Sequence, residues 1–139
     1  MSASITNSKE ISIDLSEDEK NKLTFQLCQI LENWKLEDVD QLIILSLEDI
    51  LKPRHLYVYR RGDKAFDFTN EMVKRTKMIL GIDESLGTTF PTNKEYASVW
   101  LKRSVKKFKH KTPLELMLSG DSGMTRVWHF LDCTQGWRS

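Results

Sequence analysis

The sequence lacks the segments that direct a protein to or through a membrane. No apolar run approaches the ~20 residues that a membrane span needs, and residues 1–10 are polar where a signal peptide would have an apolar core. We therefore predict a cytoplasmic protein with no membrane partner. Only two cysteines occur, Cys28 and Cys133, 105 positions apart and outside any CxxC or Cys/His cluster. This spacing argues against a disulfide framework and a zinc site, and we expect free thiols in a reducing compartment.

The motifs of common enzyme chemistry are missing as well. Neither GxxxxGK(S/T) nor GxGxxG occurs, so the six glycines form no known phosphate-binding loop. The three histidines, His55, His110 and His129, have no HExxH or equivalent companions. No GxSxG turn marks a nucleophile, although a triad can assemble from distant positions. We expect no metal and no cofactor, and we favour a binding protein. An enzyme of unrecognised type is the alternative that we consider least favoured.

What the sequence contains is an ordinary globular composition with an uneven distribution of charge. Its 139 residues are 40% hydrophobic and 29% charged, which suits one domain or two small helical units that share a core. The net charge is +1, but residues 1–51 carry −7, residues 52–78 carry +5 and residues 102–111 carry +6. Each basic block is either a solvated helix face or a surface that presents positive potential to phosphate or to an acidic protein.

The N-terminal third shows a clear helix start. Apolar residues at positions 23, 27, 30, 31 and 34 form one helical stripe, and Ser16 with Glu19 makes a capping box before it. Upstream, Ile11, Ile13 and Leu15 alternate with polar residues, which suits a short strand or an arm. Because no partner strand is evident, we interpret residues 1–15 as an arm, ordered or disordered.

A second helix is predicted before Pro53, because proline disfavours helix in the residue that precedes it. Its apolar stripe is Leu36, Val39, Ile43, Leu47 and Ile50. Pro53 suits the first turn of a further helix, so Pro53–Arg61 is predicted as a short basic helix closed by Gly62. Two helices joined in this way are a helix-turn-helix candidate, with the second helix in the major groove of DNA.

The candidate DNA contacts lie on and just after this basic helix. Arg54, His55 and Tyr57 would face base edges, and Arg60, Arg61 and Lys64 would contact phosphate. A surface helix with Leu56 and Val58 packed inward is the alternative interpretation of the same segment.

The next predicted helix begins at a cap on Asp67 and ends at Gly81, with Lys74, Arg75 and Lys77 on its outer part. Its inward residues are Phe68, Met72, Thr76, Ile79 and Leu80. A short helical turn over residues 82–86 is expected to follow.

The C-terminal half contains two further capping boxes, Thr92 with Glu95 and Thr112 with Glu115. The second is followed by Pro113 and is predicted to start a helix over residues 114–119 that Gly120 ends. The last helix is predicted over residues 122–134, with Gly136 ending it and with Met124, Val127, Phe130 and Leu131 inward. Nothing calls for a sheet, so we predict an all-α fold, a compact multi-helix protein.

Two tryptophans lie within the last twelve residues, Trp128 and Trp137, near His129 and Arg138. Tryptophan and arginine are enriched among the residues that dominate binding energy at protein interfaces. The alternative is that Trp128 fills the core and Trp137 covers a helix end.

Three segments of the C-terminal half occur in a distinctive order: LGIDESLGTTFP, WLKRSVKKFKHKTPLELMLSG and RVWHFLDCTQGW. In this order and spacing they resemble the MbcA/ParS/Xre-type antitoxins of bacterial type II toxin–antitoxin modules. The matching positions are Leu80–Ile82, Phe90, Pro91, Trp100, Leu101, Thr112–Glu115, Gly120, Val127, Leu131, Asp132, Gly136 and Trp137. Upstream, Trp34, Leu36 and the YRRG of residues 59–62 resemble the family's helix-turn-helix part, so the resemblance runs from Leu15 to Trp137.

The resemblance implies an antitoxin with an N-terminal helix-turn-helix-like unit at residues 16–81 and a C-terminal toxin-binding domain at residues 82–139. The implied partners are a RES-domain toxin, a class that consumes NAD, and operator DNA, with the chain as a homodimer within a hetero-oligomeric complex. In such complexes the C-terminal end of the antitoxin blocks the entrance of the toxin's active site. The implied toxin contacts are Trp128, Asp132, Gln135, Gly136, Trp137, Arg138 and Ser139.

One segment departs from the family pattern. A compact turn of the Gly-Val-Ser type is replaced by SLEDILKP, which contains no glycine, and Glu48 and Asp49 bring negative charge beside the DNA face. The N-terminal unit is therefore either a DNA-binding helix-turn-helix or a degenerate one used for dimerisation or packing. The alternative function is a stand-alone helix-turn-helix regulator whose C-terminal half is a dimerisation module.

Overall fold

The fold is all-α. A computed structural model describes residues 15–91 and 95–138, with the backbone alone at 134–138, so the predicted arm and the predicted cap at Thr92 lie outside the described residues. The only β-type pairing among the described residues is an isolated bridge between Val105 and Lys111. The α-helices, in chain order, are α1 (Glu17–Asn33), α2 (Asp38–Leu45), α3 (Leu56–Arg60), α4 (Asn70–Thr89), α5 (Glu95–Leu101), α6 (Pro113–Leu118) and α7 (Asp121–Arg138), with 3-10 turns at Pro53–His55 and Lys106–Phe108.

Two helix starts follow the predicted capping boxes. At the start of α1, the Glu19 amide donates to Ser16 Oγ at 3.2 Å and the Ser16 amide donates to a Glu19 carboxylate oxygen at 2.8 Å. The hydrogen bond from the Ser16 amide, with a further contribution from the Ser16 side chain, holds the pKa of the Glu19 carboxyl below its ordinary value. Thr112 and Glu115 make the same reciprocal pair at α6, with Pro113 in the first turn. Each box satisfies two backbone donors that the helix itself cannot.

The core is built on α1 and α4. Three residues of the predicted stripe are buried: Leu27 and Leu31 of α1, and Trp34 directly after it. Helix α1 packs against α3 and α4. Residues 61–69 have no helix, yet Phe66 and Phe68 are buried, and the Phe66 amide donates to Thr24 Oγ1 of α1 at 2.9 Å. This connection is therefore part of the core.

The predicted stripe of the second helix is right at Leu36 and Leu47, which are buried, and wrong at Val39 and Ile50, which are 54% and 70% exposed. The helix ends at Leu45, because Ser46 adopts a left-handed conformation with φ 63°, and residues 47–50 lie beyond it in a turn. The buried residues of α2 are Gln41, Leu42, Ile44 and Leu45.

The predicted end of the fourth helix at Gly81 is also wrong. A single helix, α4, runs from Asn70 through Gly81 to Thr89 and includes the separate turn predicted at residues 82–86. It is capped by Thr69, whose Oγ1 accepts from the Met72 amide at 3.3 Å, and not by Asp67. The predicted boundary between an N-terminal and a C-terminal unit therefore falls inside α4.

Helix α7 packs along α4 and against α6. Met124, Val127 and Leu131 are buried, as predicted, while Phe130 is half-buried. Gly123 is required by close packing, since a Cβ there would overlap the Leu116 carbonyl oxygen of α6. The predicted end of this helix before Gly136 is wrong, because α7 continues to Arg138.

Candidate functional site

Two of the three segments that carry the antitoxin resemblance meet where α7 packs along α4. The indole ring of Trp128 lies against the backbone of Gly81, and a Cβ at residue 81 would overlap the ring atoms Cζ2 and Cε2. Glycine is therefore needed at this position for close approach of the two helices and not to end one. Trp128 itself is half-buried, so it partly fills the helix interface and partly reaches the surface.

Asp132 lies one turn further along α7 and is exposed. Its carboxylate accepts a hydrogen bond of 2.9 Å from Ser85 Oγ, and Ser85 is one turn after Gly81 on α4. The LGI and VWHFLD segments are thus joined at two successive turns, once by packing and once by a hydrogen bond. This bond uses one carboxylate oxygen of Asp132, and the residue lies exposed at the edge of the α4–α7 pair.

Aromatic contacts join the middle segment to α7 as well. Trp100 of α5 stacks on Phe130 of α7, with ring centroids 6.1 Å apart, and Phe108 meets the same ring edge to face at 5.0 Å. Trp100 and Phe130 are both half-buried. Because Phe130 lies two positions after Trp128 on α7, these rings lie on a different face of the helix from the Trp128 ring.

The remaining predicted toxin contacts are at the end of α7. Gln135, Gly136, Trp137 and Arg138 are helical, and their side chains are outside the described part of the structure, as is Ser139. The predicted helix end at Gly136 is absent from the described backbone, because α7 continues to Arg138.

The predicted DNA contacts do not form one surface. Arg60 is half-buried and points at α1 and α2: its guanidinium pairs with Asp38 at 2.6 Å and Glu32 at 3.0 Å and donates to Gln41 Oε1 at 3.1 Å. The side chain thus holds α3 against the acidic ends of α1 and α2, which disfavours the predicted phosphate contact of Arg60. A chain whose first 51 residues carry −7 has internal carboxylates available to bind such an arginine.

Arg61 is also engaged within the protein. It forms an ion pair with Asp63, and its guanidinium lies 4.9 Å from the centre of the Tyr57 ring. Both of its contacts are exposed, and a surface ion pair of this kind contributes little free energy, so Arg61 can exchange Asp63 for another anion.

The other four predicted DNA residues have different surroundings. Arg54 and Lys64 are exposed, and Tyr57 is 55% exposed. His55 is half-buried, and its Nδ1 accepts from the Lys52 amide at 3.2 Å, which closes the 3-10 turn. Arg54 and Tyr57 are therefore the residues of this segment best placed to contact a partner.

Arg75 is the functional side chain that the sequence reasoning missed. The predicted position of Arg75 on the outer part of its helix is wrong, because the residue is only 8% exposed. One guanidinium nitrogen donates to the carbonyls of Ile43 and Ile44 at 2.9 and 3.0 Å, and Nε pairs with Asp121 at 2.5 Å. Its spacing contained the signal, since residue 75 lies three positions after Met72 and four before Ile79, on the buried face.

This arginine joins three helices at once: the end of α2, the middle of α4 and the start of α7. The hydrogen bond from Arg75, with a further contribution from Lys74, holds the pKa of Asp121 below its ordinary value against the opposing effect of burial. Lys74 reaches the same carboxylate at 3.2 Å but is exposed.

Metal ligands and a reactive thiol are two features that catalysis can use. No group of three or more His, Cys, Asp or Glu among the described residues could hold a metal ion. Burial raises the pKa of the Cys28 thiol to about 11, so this thiol is protonated and unreactive near neutral pH. Among the helices that the structure describes, none has the length and apolar character needed to cross a bilayer.

Comparison of the chain with protein-family models, with curated proteins and with solved structures yields no match.

Proposed function

We propose that this chain is an antitoxin of a bacterial type II toxin–antitoxin module and that it neutralises a RES-domain, NAD-consuming toxin by occluding its active site. The proposal starts from the three segments that resemble this family. One observation supports it most: the first and third segments, far apart in the sequence, meet at the Gly81–Trp128 contact and the Ser85–Asp132 hydrogen bond, and the middle segment contacts Phe130 of the third. Residues that are adjacent in space in this way can act together as one binding surface.

The occluding element in this proposal is the last part of α7. Through Leu131 the helix is held by buried contacts with the core, and its backbone continues as helix to Arg138. An anchored helix end loses less conformational entropy on binding than a free tail would, which favours affinity. Trp128 and Asp132, one turn apart on α7, would contact the toxin beside the entrance, and residues 135–139 would fill the entrance.

Co-expression with a RES-type protein encoded by an adjacent gene tests the proposal. We expect the two proteins to co-purify, and we expect intracellular NAD to stay near its normal level only when this chain is present. Failure to form a complex, together with NAD loss that this chain does not reduce, would exclude the antitoxin function.

A matched pair of variants gives that experiment a control. Trp137→Ala removes the aromatic residue proposed to enter the toxin, whereas Phe25→Ala removes an aromatic residue that is 49% exposed on α1. We expect only the first to reduce protection of NAD.

Repression of the chain's own operon is a second candidate activity. It is favoured by the exposure of Arg54 and Tyr57 on a short helical segment that follows α2 in helix-turn-helix order. Gel-shift assays with the region upstream of the operon test it, and they equally test the stand-alone regulator. A homodimer within the complex is part of the proposal, and light scattering of the purified chain and of the complex measures it.

A further inference from the structure

The loop between α5 and α6, residues 102–111, carries a dense positive charge, and we call it the basic loop. It contains six lysine or arginine residues and no acidic residue. All six are exposed. Neither the antitoxin proposal nor the helix-turn-helix prediction uses it.

The backbone of the basic loop is firmly held. Phe108 is 2% exposed and packs against Phe130, with the Arg126 guanidinium 5.4 Å from its ring centre. The Val105 amide donates to the Lys111 carbonyl at 3.0 Å, and Arg126 donates to the Lys107 carbonyl at 3.0 Å. The loop is thus closed at its base and anchored at its centre.

The tight turn at the tip requires unusual conformations. Lys109 and His110 both have positive φ angles, 57° and 66°, where lysine and histidine are uncommon. Left-handed conformations cost free energy for residues other than glycine, so the anchoring contacts must maintain this shape. The lysines are therefore displayed on a defined surface and not on a flexible tail.

The charges on this surface are not neutralised within the described protein. Lys106, Lys107, Lys109 and Lys111 form no ion pair with any described carboxylate. Lys102 donates to the backbone carbonyl of Lys35 at 2.6 Å, which leaves its positive charge unpaired. Like charges held this close repel one another, and a polyanion would relieve the repulsion.

The composition of the basic loop discriminates between two kinds of polyanion. Lysine is depleted from protein–protein interfaces, whose centres are aromatic and lose their water on binding. Phosphate backbones of nucleic acids are instead contacted by exposed lysines without sequence information. The large apolar residue of the loop, Phe108, is buried and unavailable to a protein partner.

We infer that the basic loop is a sequence-independent binding surface for the phosphate backbone of duplex DNA, separate from the predicted helix-turn-helix contacts. The inference does not depend on toxin neutralisation. It adds phosphate contacts from the C-terminal half to any that the N-terminal half makes, and such contacts raise affinity for all sequences alike.

Fluorescence anisotropy with a labelled duplex of arbitrary sequence tests the inference, with salt varied from about 50 to about 200 mM. The test variant is Lys107→Gln with Lys109→Gln, and the charge-matched control is Lys22→Gln with Lys77→Gln, two exposed lysines on α1 and α4. Each phosphate contact contributes about 0.9 to the slope of log affinity against log salt, so the test variant should lose up to about 1.8. The control should retain the slope of the parent protein.

Three results would overturn the inference. The parent protein could fail to bind the duplex at about 50 mM salt, or the test variant could bind it as the control does. Alternatively, binding of polyglutamate could require Lys107 and Lys109 while binding of the duplex does not require them. That result would mean that the basic loop binds an acidic protein. A third variant, Arg54→Gln with Lys64→Gln, separates the helix-turn-helix contribution, because it should lower the slope independently of the loop variant.

Discussion

The indole ring of Trp128 rests on the backbone of Gly81, and this contact sets how closely α4 and α7 approach. It makes one glycine of α4 sterically necessary. Gly87, on the same helix, is exposed, and a Cβ there would meet nothing within 4 Å. The two glycines therefore form a natural comparison.

We expect Gly81→Ala to lower the free energy of unfolding by about 1–3 kcal/mol, because overpacking forces the ring and the helices apart. Gly87→Ala should instead raise it by up to about 1 kcal/mol, because alanine is the better helix former. Urea denaturation of both variants measures the difference. Equal effects would mean that the Trp128 ring can move away without cost.

Arg75→Met should destabilise the fold by about 2–4 kcal/mol, since it leaves two backbone carbonyls and the Asp121 carboxylate without their donor. Lys74→Met removes an exposed partner of the same carboxylate and should cost less than about 1 kcal/mol. Thermal denaturation of both variants distinguishes the loss of these buried contacts from a general loss of positive charge. A similar loss of stability in both variants would contradict the role of Arg75 in joining the three helices.

The lowered pKa of Asp121 predicts a dependence of stability on pH. A carboxyl group whose pKa is lower in the folded than in the unfolded state stabilises the fold above its unfolded pKa. That contribution is lost as pH falls below the ordinary value of 3.8 and through the lowered folded value. Lys74 and Arg75 contact the Asp121 carboxylate, and Glu71 pairs with both of these cations.

The measurement compares the parent protein with Asp121→Asn by denaturation from pH 7 to about pH 3. We expect the parent to be more stable at neutral pH and the difference to shrink as the pH falls. A difference that does not change with pH would mean that Asp121 acts through its shape and not its charge.

Arg60 and Arg54 should behave in opposite ways, although both belong to the same basic segment. Arg60→Gln removes the partner of two carboxylates and should cost about 1–2 kcal/mol of stability. Arg54→Gln should change stability by no more than about 0.5 kcal/mol, but should weaken operator binding and relax its sequence specificity, because Arg54 is predicted to contact base edges. Denaturation and gel-shift titration of both variants check this. Unchanged stability in Arg60→Gln would reopen its role on DNA.

Deletion of residues 135–139 should change the stability of the fold little, because terminal residues contribute little to a core. It should nevertheless release toxin activity in co-expression. A tryptophan that dominates an interface contributes about 2 kcal/mol or more, so Trp137→Ala should weaken the complex roughly thirtyfold. If the shortened protein unfolds, or protects NAD fully, the occluding surface lies elsewhere on the C-terminal half.

Local signals in the sequence predicted the all-α fold and several helix starts correctly. The capping boxes at Ser16 and Thr112 depend only on residues three positions apart, so they can be recognised without knowledge of the fold. The end of a helix at Gly81 was predicted wrongly for a physical reason. Glycine can end a helix, and it can also let a neighbouring helix approach closely. Only the position of Trp128 in the fold shows which of these roles Gly81 has.

The charged residues show the same limit. A basic helix suggested phosphate contacts, but Arg60 binds carboxylates up to 28 positions earlier in the sequence. Arg75 likewise contacts residues 31, 32 and 46 positions away. Composition states how much charge a segment carries, whereas the partner of each charge depends on tertiary contacts.

Helix α4 belongs to both halves of the chain, since it packs against α1 and α2 and also against α7. In protein-engineering terms, residues 70–89 offer no place to divide the protein into separately expressed modules. A cut after Gly81 would leave each fragment with part of a helix and with half of the apolar surface that the helix covers. An exchange of halves between related chains would have to carry α4 together with both of its neighbours.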